Sequence, residues 1–555
     1  MKKNNFTKVL APAVALSVIL SACSGSGSEK ASKDKDNKKA VKQELTMLET
    51  TEVGTIDTIM SQDIASSNLI ENIFEGLYRL DEENNPVPAM ADGEPTVSED
   101  KKTYTFKIKD AKWSNGDPVT AENFVSAWRR AVDPDTGSVY GPYMFAGRIL
   151  NADKIAAGKM KPEELGVKAI DEKTLEVKLE LPIPYFYYLM AFSTFYPEPT
   201  SVVEKEGKNY AKTAENAVYN GPFVLEGWDG SQDVNWQIKK NESYWDASNV
   251  KLETVNFEVQ KDAQAALNMF QAGEADITTK LATQGVIQQI NEDPQLNRYL
   301  EPGVFWLKFN QHVPELANEN IRRAIATAFD KEALVNDVLN NGSIAANFIV
   351  TEGFHIGPDG SDFRDKNGDM LKYDLENAKK LWEKGLKEVG KKEITLEYVS
   401  QDTEVAKLTD AWLKNQLETN LPGLKLNVVG IPFPQKVERE TKEQYDLLFA
   451  GWAPDFRDAL TFMDLYITDG ENNHMGYSNK QYDKLIKDAQ TTYSADDQKR
   501  MEAMQEAERI VLEEDAAVAP IYQRSVNRMV SDSVKGYVYH LYGPEYCLKW
   551  AEKVK

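Results

Sequence analysis

Histidine is scarce in this sequence: His312, His355, His474 and His540 are the only four among 555 residues, and they lie far apart. None belongs to an HExxH helix or a Cys/His zinc spacing, so no signature metal centre is present. The acyl- and phosphoryl-transfer signatures are missing too, with no G-x-S-x-G elbow, no P-loop and no G-x-G-x-x-G turn. Ser98-Glu99-Asp100-Lys101 fits S-x-x-K without the accompanying S-D-N and K-T-G elements, which leaves it a chance match. Positive charge is in deficit: 65 Lys and Arg stand against 88 Asp and Glu, for a net charge of −23. Such a chain repels polyphosphate, which argues against nucleic acid as a partner. No apolar run is long enough to cross a bilayer, and no repeat recurs at a fixed period. Together these gaps shift weight from catalysis towards binding.

What is present is ordinary globular material. The chain is 41% hydrophobic and 28% charged, and at its length it can bury roughly three quarters of its unfolded surface. The N-terminal segment stands apart. Lys2, Lys3 and Lys8 precede an apolar run from Val9 to Leu20, followed by Ser21-Ala22-Cys23. The run is too short to span a membrane and reads as a signal peptide over residues 1–22. Leu20-Ser21-Ala22-Cys23 resembles the lipobox of bacterial lipoproteins, which implies a diacylglyceryl group on Cys23 and an anchored, non-spanning protein. With Cys23 so modified, Cys547 is the one remaining thiol, no intrachain disulfide can form, and stability rests on the core. From Ser24 to about Gln43 there is almost no apolar residue, so residues 23–43 read as a lipidated cysteine and a flexible tether with a reach of roughly 25 Å.

Beyond the tether, alternating apolar residues predict strands at Tyr104, Phe106 and Ile108; at Leu175, Val177, Leu179 and Leu181; at Val255, Phe257 and Val259; and at Ile394, Leu396 and Tyr398. Helical spacing predicts helices through Phe124, Trp128 and Ala131 after Thr120, through Leu267 and Phe270 before Gly273, and through Ile321, Ile325 and Phe329 after Asn318. Another runs through Leu334 and Val338 to Gly342. Interspersed strands and helices indicate an α/β or α+β body. Asp365, Asn367, Asp369 and Glu376 take positions 1, 3, 5 and 12 of an EF-hand loop, but Met370 stands where that loop needs Gly. The segment therefore reads as a polar loop before a helix at Asp374.

Tyr445 to Phe456, YDLLFAGWAPDF, begins as a continuous apolar run and turns polar after Trp452. This pattern predicts a strand buried on both faces whose end lines a crevice.

Several long blocks carry a resemblance. TYTFKIKDAKWSNGDPVTAENFVSAWRRAVDP (Thr103 to Pro134), YNGPFVLEGW (Tyr219 to Trp228), NESYWD (Asn241 to Asp246), FNQHVPELANENIRRAIATAFDKEALV (Phe309 to Val335), YDLENAKKL (Tyr373 to Leu381) and GYSNKQYDKLI (Gly476 to Ile486) stand in order along the chain. Together they resemble the family 5 extracellular solute-binding proteins, and most nearly the oligopeptide-binding lipoproteins of Gram-positive ABC transporters. The resemblance implies an α/β, two-lobed periplasmic-binding-protein-like fold (class II, cluster C) with an extra subdomain inserted in the first lobe. It places the first lobe at about 44–80, 205–305 and 522–555, the inserted subdomain at about 81–204, and the second lobe at about 306–521.

By the same resemblance the function is capture of short peptides between the lobes and delivery to the membrane subunits of an ABC permease. The protein is expected at the outer face of the cytoplasmic membrane, held by its lipid, as a monomer, with no cofactor and no catalytic role. Asp455 is implied as the partner of the peptide α-ammonium, a charge-assisted contact. Gly451 is expected to allow close backbone approach, Trp452 to offer an apolar wall, and Ala453 to give backbone groups, with Pro454 setting the chain's direction. Tyr140 is implied as a ligand-facing residue of the subdomain and Thr278 as one lining the first lobe. The chain departs from the family at Phe456-Arg457-Asp458-Ala459, where an Asp-Pro step is common, and Ala459 puts the local turn in question. Three rivals stay open: a narrow receptor of the same fold for a peptide pheromone or other small solute, a surface peptidase, and an adhesin or chaperone.

Overall fold

Three sheets of four or more strands carry the architecture of the computed structural model, which describes residues 41–470 and 472–555. The signal region, Cys23 and the tether as far as residue 40 lie outside these residues.

The first sheet runs in the order Glu44–Glu49, Thr254–Val259, Asn235–Lys240, Phe223–Glu226. Its first pair is parallel, with Leu45 beside Val255 and Met47 beside Phe257, and the inward residues of this alternating pattern are buried. Gln43, at the expected end of the tether, is already fastened to this body. Its side-chain amide donates to the Lys553 carbonyl at 2.8 Å and accepts the Lys553 N–H at 3.0 Å.

Between the first and last strands of that sheet, in sequence, an antiparallel four-stranded sheet is inserted: Thr96–Val97, Thr103–Lys107, Thr174–Lys178, Val167–Asp171. Tyr104 and Phe106 face its core as the alternation requires, while Ile108 and Leu179 lie just past their strands in single bridges to Ala91 and Ile149. The Ala121–Val132 helix buries Phe124, Trp128 and Ala131. Asn123 stabilises its start by accepting the Thr120 N–H at 2.9 Å.

The third sheet has six strands in the order Ile344–Ala345, Val518–Met529, Leu296–Phe309, Leu447–Trp452, Ile394–Gln401, Leu424–Ile431. Its two longest strands are antiparallel and carry a bulge: Leu300 pairs with Ser525 and Val304 with Gln523, so Glu301, Pro302 and Gly303 stand across from Arg524 alone. Pro302 has no N–H to give to the ladder, which fits a break at this point. The fold is α/β, with two lobes and an additional subdomain in the first.

The predicted helices form with the caps their sequences carry. Asn318 accepts the Ile321 N–H at 3.1 Å to start Glu319–Thr327, and Phe329 falls just beyond that helix. Asp262 accepts the Ala265 N–H at 2.8 Å to start Ala263–Gln271, and Gly273 follows in the left-handed region at φ +73°. The helix through Leu334 widens to π spacing over Leu334–Leu339 and stops at Asn340, which is left-handed. In the Asp365–Glu376 segment the polar groups serve the backbone and its neighbours. Asp374 caps Leu375–Glu388, and the Asn367 amide binds the Gln505 carbonyl at 2.8 Å and Glu508 at 3.0 Å. Among the described residues no helix is long and apolar enough to cross a membrane.

Candidate functional site

The Leu447–Trp452 strand is central in its sheet, antiparallel to Leu296–Phe309 on one side and parallel to Ile394–Gln401 on the other. Leu447, Leu448, Phe449 and Ala450 are buried, as the continuous apolar run requires. Past Trp452 the chain leaves the sheet, and Ala453, Pro454 and Asp455 border a cavity of about 440 Å³. Tyr140, Phe192, Lys280, Arg524, His540 and Tyr542 are among its other walls.

Asp455 is held from the opposite side of the cleft. The Tyr140 hydroxyl donates to Oδ1 at 2.6 Å and the Tyr143 hydroxyl to Oδ2 at 2.9 Å. Both phenols come from the short Tyr140–Phe145 helix of the inserted subdomain, one helical turn apart. Burial pushes the Asp455 carboxyl above its usual range, and the two phenols, with Arg148 at longer range, oppose that shift without cancelling it. The phenols are themselves driven well above their ordinary value, first by burial and then by the carboxylate they face. Among the described residues no Lys, Arg or His forms an ion pair with Asp455.

A second charged group borders the same cavity. Glu301 accepts from Nε and Nη2 of Arg524 at 2.8 and 2.5 Å, and also from the Tyr539 hydroxyl. Lys280 pairs with Glu545 and approaches Glu301 to 4.0 Å. Burial alone would raise the Glu301 carboxyl, but Arg524 and Lys280 hold it below the usual carboxylate range.

The segment after Asp455 is fixed by several contacts. The Phe456 and Tyr185 rings stack at 4.2 Å between centroids, and Arg457 donates to the carbonyls of Gly353 and Phe354 at 3.0 Å each. Asp458 takes both terminal nitrogens of Arg500, at 2.5 and 2.7 Å. Ala459 stands at φ −58°, a value proline also adopts, so the turn forms without the family's proline. Its N–H then donates to Nδ1 of His355 at 3.2 Å, a bond proline cannot make. His355 is held neutral by burial, with the Arg500 charge adding to that effect and Asp458 opposing it.

Of the six binding residues expected from the sequence, Tyr140, Ala453 and Asp455 border the cavity. Gly451 does not: a Cβ there would lie 2.5 Å from the Phe305 ring, so its small size answers a cross-strand neighbour rather than a ligand. Trp452 is half-buried with its indole N–H on Thr461 at 3.1 Å, and it is not among the residues that border the cavity. Thr278 is fully buried, donating to the Thr279 carbonyl and accepting the Met529 N–H, both at 2.9 Å, while Lys280 two residues later borders the cavity. Tyr143, Lys280, Glu301 and Arg524 were missed. Only Tyr143 had a local signal, its i+3 spacing from Tyr140.

The comparisons with known proteins agree with this architecture. The family described as "Bacterial extracellular solute-binding proteins, family 5 Middle" matches residues 85–474. The dipeptide-binding protein DppE of Bacillus subtilis (strain 168) is 34% identical over 491 residues, covering 87% of each chain. The solved structure of Listeria monocytogenes OppA bound to peptide is 40% identical and superposes with a TM-score of 0.79, over 93% of this chain and 100% of that one. The pheromone receptor PrgZ, solved to show its mode of peptide binding, is 35% identical with a TM-score of 0.79 over 93% of this chain and 100% of that one. From its sequence, its two lobes and its inserted subdomain, this chain belongs to the family 5 bacterial extracellular solute-binding proteins.

Proposed function

We propose that this protein is a lipid-anchored receptor, fixed through Cys23 to the outer face of the cytoplasmic membrane. It binds short peptides between its lobes and delivers them, chemically unchanged, to an ABC-type permease. The observation that carries this reading is Asp455: a carboxyl in a cavity, bonded by two phenols, with no ion pair among the described residues. A peptide α-ammonium supplies the missing charge and three donors. The names of the relatives, a dipeptide-binding protein and an oligopeptide-binding protein bound to peptide, support the same ligand class. Ala453, exposed just beyond the last paired residue of its strand, offers backbone groups for the strand-like pairing that lets one site accept many sequences.

Ligand contacts both lobes only when they are closed, so binding shifts the population towards the closed form that a permease reads. The proposed lobe boundaries at about 305 and about 521 fall in the two long strands near the Glu301–Gly303 bulge, the natural place for a hinge. A narrower reading is favoured by the likeness to PrgZ: a receptor for one defined peptide signal.

Mass spectrometry of small molecules released by denaturing protein that starts at Ser24, purified without added ligand, separates these readings. A mixed set of short peptides supports the broad receptor. One defined compound supports the narrow one, and protein that carries and binds no peptide overturns both. Incorporation of labelled fatty acid into the full chain, lost in Cys23→Ser, tests the anchor.

A further inference from the structure

Among the described residues, one group of three ligating side chains has no task in peptide capture. A carboxylate oxygen of Glu71, a ring nitrogen of His540 and Sγ of Cys547 all lie within 4.8 Å of one another, and all three residues are buried. Two elements bring them together. Val538–Tyr539 and Tyr546–Cys547 pair antiparallel with Cys547 across from Val538, and the pairing continues through the His540 N–H, which donates to the Glu545 carbonyl at 2.7 Å. His540 follows Val538 by two residues, so the imidazole and the thiol share a face of this hairpin. The Ile64–Ile73 helix packs there: the Asn68 side chain accepts the Glu545 N–H at 2.7 Å, and the Asn72 side chain accepts the Leu548 N–H at 2.8 Å. Asn68, Glu71 and Asn72 lie on one helix face, so these two bonds hold Glu71 against the hairpin.

The hydrogen bonds fix which atoms are free. The Asn84 amide oxygen accepts the Leu541 N–H at 3.0 Å, which settles it as an acceptor, and Nδ1 of His540 lies 3.3 Å from the same oxygen. Nδ1 therefore carries the proton and Nε2 the lone pair. Nε2 is buried, and among the described residues no donor meets it. A buried acceptor left without a donor costs about 1–3 kcal/mol, and a cation removes that cost. The charge count agrees. Glu71 and Glu75 both pair with Arg79, at 3.2 and 3.0 Å, and among the described residues neither pairs with a second cation. One negative charge is left over. A divalent ion on a thiolate adds a net charge of +1, which cancels it.

We propose that Glu71, His540 and Cys547 bind a zinc ion through a carboxylate oxygen, Nε2 and Sγ. Of the three, only His540 also borders the Asp455 cavity, so the site does not depend on the peptide reading. Imidazole, thiolate and carboxylate are the ligand types zinc takes, and three protein ligands leave a fourth tetrahedral position to water. Binding converts the Cys547 thiol to a zinc-bound thiolate and releases its proton to solvent. Ligand atoms about such an ion stand roughly 3.3–3.8 Å apart, so the donors draw in by up to roughly 1.5 Å. Arg79 Nη2, 3.7 Å from Sγ, gives up that weak contact, while Nη1 stays on Glu75 and Tyr244. Asn84 acts as a positioning residue by holding the imidazole tautomer. The ion cross-links the helix to a hairpin near the other end of the chain.

The test uses the full chain carrying Cys23→Ser, in which Cys547 is the one thiol, stripped of metal with a chelator and titrated with cobalt(II) and then zinc. Cobalt is expected to bind as one ion per chain with a thiolate-to-cobalt charge-transfer band in the near ultraviolet, which zinc displaces. Zinc should also raise the unfolding temperature. Adding Cys547→Ser should abolish the band, and adding His540→Gln should weaken zinc about tenfold or more in competition with a chromogenic chelator. Because both side chains are buried, Asn84→Gly is the second probe. Residue 84 stands at φ +64°, which glycine adopts freely, so the fold is kept while the imidazole loses its partner, and zinc should bind about 10- to 100-fold more weakly. If the chain with Cys547 intact shows no charge-transfer band, any zinc it holds is an adventitious ion only and the proposal is overturned. Zinc affinity unchanged in both His540→Gln and Asn84→Gly overturns it as well.

Discussion

Tyr140 Oη lies 2.6 Å from Oδ1 of Asp455, although 315 positions separate the two residues in sequence. One lies on the short Tyr140–Phe145 helix and the other just past the end of a central strand of the six-stranded sheet, so two distant segments meet at the cavity. A carboxylate has about four acceptor sites, and Tyr140 and Tyr143 occupy two of them. The remaining two suit an ammonium that arrives between the lobes.

Asp455→Asn keeps the side-chain shape and removes the charge. Loss of a charge-assisted contact of about 1.5–3 kcal/mol corresponds to roughly 10- to 100-fold weaker binding of free-amine peptides. N-acetylated peptides lack the ammonium and should lose only a few-fold. Isothermal calorimetry on matched peptide pairs checks this, and equal losses for both would refute the ammonium assignment.

Proton linkage gives an independent reading of the same group. Burial raises Asp455 in the empty cleft, whereas a bound ammonium favours its carboxylate form. Free-amine peptides should therefore release protons on binding, and their affinity should fall as pH drops through the raised value. For the fold itself the sign is reversed: a carboxyl raised on folding adds stability at low pH that is lost as pH rises through the folded value. Asp464 titrates nearby, pushed up to about 7 chiefly by burial, with Asp455 and Asp458 adding to the shift and Arg148 opposing it. Calorimetry in buffers of different ionisation enthalpy, with Asp455→Asn as the control, isolates the Asp455 proton. Net proton uptake would contradict the assignment.

Tyr143→Phe removes one donor from Asp455 and leaves the ring in place. The expected cost is about 0.5–1.5 kcal/mol in peptide binding, a few-fold to about tenfold, together with a further rise in the Asp455 pKa. Thermal unfolding of the ligand-free variant should move by only a few degrees. A large loss of stability with unchanged affinity would make Tyr143 a structural residue instead.

The Asp458–Arg500 pair has the opposite character, since both side chains are buried and neither borders the Asp455 cavity. Arg500→Met strands the carboxylate and should cost about 3–5 kcal/mol by denaturant unfolding. Ala459→Pro is a gentler probe of the same corner. The backbone there already suits proline, so the fold should persist, but His355 loses the N–H that its Nδ1 accepts. The His355 pKa should then rise towards its ordinary value in an NMR titration, because Asp458 Oδ2, 3.6 Å away, favours the charged ring. An unchanged value would mean that the lost hydrogen bond has no part in setting it.

Much of the fold was legible because it is written in local periodicity. Tyr104 and Phe106 alternate as a half-buried strand must, Asn318 precedes its helix as a cap, Gly273 follows the end of the Ala263–Gln271 helix, and the apolar run from Tyr445 ends at Trp452, where the chain leaves the sheet. The cavity was legible only where family likeness reached it, at Ala453, Asp455 and Tyr140. Lys280, Glu301 and Arg524 meet from three distant segments, and what aims Arg524 inward is a bulge visible only once two strands are paired. Thr278 is buried against Met529, and Lys280 two residues on borders the cavity.

Gly451 shows how register changes the meaning of a residue, and it yields a last test. From sequence its lack of a side chain implied close approach of a ligand. In the sheet it stands directly across from Phe305, whose ring leaves no room for a Cβ. That ring is itself pinned, stacked on Tyr522 at 5.1 Å and on Phe449 at 5.5 Å, with the Arg524 guanidinium 5.6 Å from its centroid. The strand cannot shift aside either, since it is paired on both edges. Gly451→Ala should therefore cost about 1–3 kcal/mol in unfolding free energy, the usual penalty for overpacking. Phe305→Leu in the same chain removes the ring atoms that clash and should recover part of that loss. A variant with normal stability but no peptide binding would return Gly451 to the role its sequence suggested. Lost stability regained with the leucine would fix it as a packing residue, one that supports the wall on which Arg524 rests.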